Sequence, residues 1–69
     1  MEKFIYKADS DKTLEAMDYV IRFREEDYPK GFAKVKGGNE FKTDFTVNNT
    51  GYDVYRMGRE ISKEEYEIF

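Results

Sequence analysis

Residues 2–8, EKFIYKA, alternate: Phe4, Tyr6 and Ala8 fall on one side, Lys3, Ile5 and Lys7 on the other. A side-chain period of two marks a strand, and this stretch predicts the first one. The next segment, DSDKTLEAMDYVIRFREEDY (9–28), carries two patterns at once. At helical spacing Leu14, Met17, Ile21 and Tyr28 form a stripe, widened by Ala16, Val20 and Phe23, opposite Glu15, Asp18, Arg22 and Glu25. At strand spacing Met17, Tyr19, Ile21 and Phe23 alternate as well. Asp9 or Ser10 as an N-cap, acid in the first turn and the helix-favouring TLEAM decide for a helix over 10–27. Pro29 restrains Tyr28 and marks its end.

Two further strands, GFAKVKG (31–37) and EFKTDFTV (40–47), flank Gly38-Asn39, a tight-turn pair. In the second, Phe41, Thr43, Phe45 and Val47 alternate with Lys42, Asp44 and Thr46. NNTG (48–51) reads as a turn, and YDVYRM (52–57) as a fourth strand ended by Gly58. Ser62 and Glu65 match a capping box, and Ile61 stands at staple spacing from Tyr66, so a helix begins at Lys63 and runs to Phe69. Two turns are too few to stand alone in water. Tyr66 and Phe69 share a face and, with Ile61, are expected to dock it on the core. Ile68 points elsewhere. The competing reading leaves Ile68 and Phe69 as a hook for a partner.

The order is therefore β-α-β-β-β-α, an α+β fold in one small domain spanning 1–69. Its sheet is mostly antiparallel, with the long helix on one face and the short C-terminal helix completing it. Strand, helix, proline exit and strand resemble a crossover unit. With Phe4, Tyr6, Ala33, Val35, Phe45 and Val54 beneath the long helix, the opposite parity sets Ile5, Phe32, Tyr55 and Met57 among Lys34, Lys36, Lys42 and Asp44. Clustered apolar side chains on an outward face mark an interaction surface. The candidate partner-binding residues are Ile5, Phe32, Lys34, Lys36, Tyr55, Met57, Ile68 and Phe69.

Composition narrows the trades open to such a domain. Aromatics make up 17% of the 69 residues, six Tyr and six Phe, which supports a packed core rather than disorder. A chain this short still buries only ~60% of its unfolded surface. Cys and His are absent, which removes disulfides, thiolate chemistry, the usual near-neutral base and the commonest metal ligand. Ser10 and Ser62 stand where caps belong. Asp9-x-Asp11 begins like a calcium loop, but Leu14 replaces its glycine and Val20 its last carboxylate. Gly37-Gly38 lacks the Lys-Ser/Thr and the helix of a phosphate loop. No catalytic residue, cofactor or metal is expected.

The formal charge of −3 opposes a protein that tracks phosphate backbones. Acidic mimicry of nucleic acid is broken up by the twelve interspersed Lys and Arg. No apolar run approaches the ~20 residues of a membrane span, and MEKFIYKADSD lacks a secretory apolar region. A cytoplasmic protein is expected, or one in the host-cell cytoplasm if phage-encoded, and Asn48-Asn49-Thr50 is expected to be a turn rather than a glycan site. These exclusions leave a small non-enzymatic protein-binding module as the expectation, an inhibitor or adaptor of the kind phages and mobile elements encode. The alternatives are a nucleic-acid-binding module using the Phe32/Lys34/Lys36 face and a structural homo-oligomer such as a homodimer.

Overall fold

The computed structural model describes residues 3–9 and 18–69. Five strands, β1 (Ile5–Ala8), β2 (Tyr19–Phe23), β3 (Lys30–Val35), β4 (Phe41–Asp44) and β5 (Arg59–Ile61), form one sheet in the order β4-β3-β2-β1-β5. Every pairing is antiparallel. Helix α1 (Asn49–Met57) packs on one face, and the short helix α2 (Lys63–Ile68) on the other. The α+β class, the antiparallel sheet, a helix on one face and the short C-terminal helix are as the sequence predicts.

The residues that fill these roles differ in two places. Residues 19–23, expected inside the long helix, are the central strand. Here the alternation of Tyr19, Ile21 and Phe23 prevails, because these side chains enter one core while Val20 enters the other. A strand buried on both faces reads as a continuous apolar run, which periodicity cannot separate from a helix. A single 3₁₀ turn, Glu25–Asp27, leads into Pro29. The remainder of that expected helix, 10–17, including Ser10 and TLEAM, lies outside the described residues.

The second correction concerns 52–57, read as a strand and found within α1. Asn48 caps it, its side chain accepting from Gly51 N at 3.0 Å. Gly51, Val54 and Tyr55 then face the sheet at helical spacing. β4 ends at Asp44, and Phe45, placed by sequence in that strand, turns inward to become the largest fully buried side chain. Its ring needs two glycines: a Cβ on Gly31 would come within 2.8 Å of it, and one on Gly51 within 2.9 Å.

Register also revises the assignment of faces. Tyr6 pairs with Arg22 and Arg22 with Phe32, so Phe4, Tyr6, Phe32 and Lys34 share the α2 face. Ala33, Val35, Phe45 and Val54 lie on the α1 face with Ile5 and Tyr55. Ile21 is paired with both Lys7 and Ala33, which fixes that parity. The expected grouping of Phe4 and Tyr6 with Ala33 and Val35 does not occur.

Candidate functional site

The α2 face is organised around Arg22. Its register position on β2 puts it directly across from Tyr6 and Phe32. The guanidinium lies 4.4 Å from the Phe4 ring centroid and 4.2 Å from that of Phe32, between two aromatic faces. It donates through Nε to Glu40 Oε2 at 2.7 Å and through a terminal nitrogen to Oε1 at 3.0 Å. This is the two-pronged geometry that arginine, unlike lysine, can offer a carboxylate. Tyr66 donates its hydroxyl to the same carboxylate at 2.6 Å. Lys34 donates to the Tyr66 carbonyl at 2.9 Å, its ammonium 4.5 Å from the ring centroid.

Charge states follow from these contacts. The Arg22 hydrogen bond holds the Glu40 carboxyl below its usual range, with Tyr66 adding to the effect. Glu40 in turn raises the Arg22 guanidinium. Burial, then the bond to Glu40, pushes the Tyr66 phenol up. The cluster thus holds Glu40 as an ionised acceptor and Tyr66 as a neutral donor. Both are suited to fixing a shape, and neither is poised to exchange a proton near neutrality. Among the described residues no group of three or more carboxylates could hold a metal ion, and Ser62 is occupied as the cap of α2.

Beside this cluster, where α2 does not reach, a groove of about 460 Å³ opens over one end of β2, β3 and β4. Phe4, Phe23 and Phe32 form its apolar lining, so it wraps the end of the sheet, and Arg24, Lys30 and Lys42 line it with Asp27 and Asp44. Arg24 is held to Asp27 through Nε at 2.7 Å. Asp44 is turned to its own loop, accepting from the Thr46 hydroxyl and from Thr46 N at 2.8 Å, and the hydroxyl bond, then the backbone one, lowers its carboxyl. Lys30 and Lys42 stand exposed.

The α1 face carries a second aromatic feature. Tyr28, from the turn before Pro29, stacks on Tyr55 at 4.5 Å and 29°. Tyr52 continues the series at 6.3 Å and 24°, and Phe45 anchors Tyr55 from the core at 6.1 Å and 16°. Lys7 fixes this ladder to the sheet by donating to the Tyr55 carbonyl at 2.9 Å.

The eight residues singled out in the sequence do not form one surface. Phe32 belongs to the groove, and Lys34 is tied to Tyr66. Phe69 packs half-buried against the Ala8, Val20, Ile61 and Tyr66 core, whereas Ile68 is 84% exposed. Ile5 and Tyr55 pack on the opposite face, with Met57 exposed at the end of α1. Lys36 lies in the turn after β3. Phe4, Arg22, Arg24, Lys30, Glu40, Tyr28 and Tyr52 were not singled out. Arg22 and Arg24 alternate with Phe23, a signal that becomes visible only once 19–23 is a strand. The chain matches no protein-family model, no curated protein and no solved structure.

Proposed function

We propose that the protein works by binding another protein, not by catalysis, and that the groove over Phe4 and Phe32 takes the partner. The observation that carries this reading is a groove lined by Phe4, Phe23 and Phe32 beside exposed lysines. The apolar lining suits an apolar side chain, and Lys30 and Lys42 suit carboxylates next to it in the partner's sequence. A domain of this size with one such groove serves as an inhibitor or adaptor in the cytoplasm. Among the described residues no helix is long and apolar enough to cross a membrane.

The nucleic-acid alternative is less well supported. A base needs an open ring face and the backbone needs cations, but Arg22 lies against Phe32 and Lys34 is drawn onto Tyr66. No measurable binding of random single-stranded RNA or DNA is expected at physiological salt. A random peptide library selected on the wild type tests the main reading. Enriched peptides should pair an apolar residue with flanking Asp or Glu, and Lys42→Glu should weaken them about tenfold. Failure to enrich any sequence, or peptides that bind Lys42→Glu equally well, would overturn it.

A further inference from the structure

The tyrosine ladder lies on the α1 face, and nothing in the proposed binding role uses it. Tyr28 and Tyr52 remain 36% and 37% exposed although their neighbour Tyr55 is anchored in the core. The ladder is braced by the stacking and by the Lys7 bond to the Tyr55 carbonyl, contacts that lower the ordering cost of meeting a partner. Tyrosine beside arginine is the composition of interface centres, and the Arg56 guanidinium sits 5.6 Å from the Tyr52 ring centroid.

The charges around the ladder indicate what that partner is. A recess of about 630 Å³ beside Tyr28 and Tyr55 is bordered by Lys7, Arg56, Glu25 and Glu60. Two cations and two anions leave no net sign to select a strongly acidic or basic partner. Lys7 is committed to the Tyr55 carbonyl and sits opposite Glu60 in the β1–β5 register. Arg56 and Glu25 remain, both exposed and of opposite sign. A two-fold axis through the patch brings each against the other's counterpart, so one complementary pair is made twice. We propose that the Tyr28–Tyr55–Tyr52 ladder is the contact face of a symmetric dimer of this chain, closed by Arg56 of each copy against Glu25 of the other. A standard contact of ~800 Å² per copy takes about one broad face of a molecule 30 × 27 × 21 Å in extent.

Sedimentation across a concentration series tests this with wild type, Arg56→Glu, Glu25→Arg and an equimolar mixture of the two variants. Both substitutions are at exposed positions, and circular dichroism checks that each variant is folded. The wild type should form dimers. Each single variant sets like charges together twice and should dimerise at least about tenfold more weakly. The mixture restores both opposite-sign pairs and should recover dimers. A wild type that stays monomeric up to ~1 mM, variants that dimerise like the wild type, or a mixture no better than its components would each overturn the proposal. A dimer lost with Lys42→Glu but not with Arg56→Glu would place the second copy in the Phe4–Phe32 groove and overturn it equally. Peptide binding in the groove is measured separately, so either idea can fail alone.

Discussion

Asn48 is the residue on which most separate demands converge. Its carbonyl side-chain oxygen caps α1 through Gly51 N, and its amide donates to Tyr19 Oη at 2.8 Å and Thr43 Oγ1 at 2.9 Å. One side chain therefore joins helix α1 to the central strand and to an edge strand. Asn48→Ala should cost about 2 kcal/mol, combining a lost cap with partly buried hydroxyls left without their donor. Asn48→Ser should recover about half of this, because it restores the cap alone. Denaturant unfolding midpoints measure both, and equal values for Ala and Ser would show that capping contributes little here.

At the scale of elements, α2 shows how a six-residue helix persists. Its capping box is complete: Ser62 Oγ accepts from Glu65 N at 3.0 Å and Glu65 Oε1 from Ser62 N at 2.8 Å. Tyr66 supplies the docking contact, buried against Ala8, Val20 and Ile61 and tilted 5.3 Å from the Tyr6 ring. Ser62→Ala should lose about 1 kcal/mol. Tyr66→Ala should lose about 3 kcal/mol, typical of a buried aromatic truncated to a small side chain. Ile68→Ala, at an 84% exposed position, should fall within ~0.5 kcal/mol of wild type. A larger loss for Ile68→Ala than for Ser62→Ala would mean that α2 docks through a different face.

At the scale of the whole molecule, the Arg22–Glu40–Tyr66 cluster links the central strand, the loop before β4 and α2. Glu40 has a depressed folded value, so its contribution is fully present above its unfolded value of ~4.3 and is lost as pH falls through the lower folded value. Tyr66 has a raised value, so its contribution is present below ~10 and is lost as pH rises toward its folded value. Glu40→Gln should lower the unfolding midpoint at pH 7 and flatten the acid limb, so that the two proteins converge once the pH falls below the lowered folded value of Glu40. Parallel acid limbs would show that Glu40 titrates alike in folded and unfolded chains.

Local signals settled what could be settled locally. The alternation in 2–8 and 31–35 depends only on neighbouring residues, and β1 and β3 follow it. The capping box of α2 is a contact between residues three apart, so spacing alone could reveal it. The absence of Cys and His belongs to composition and holds in any fold. Tertiary structure decided the rest. Tyr19–Phe23 had both periods written into it, and two cores, one on each face, selected the strand. YDVYRM has the aromatic and β-branched character of a strand. It became helical because Asn48 found Tyr19 and Thr43, and because Gly51 could accept the Phe45 ring. The groove, the Arg22 cluster and the tyrosine ladder each join residues distant in sequence. Their existence depends on antiparallel register, a property of paired strands that no single segment carries.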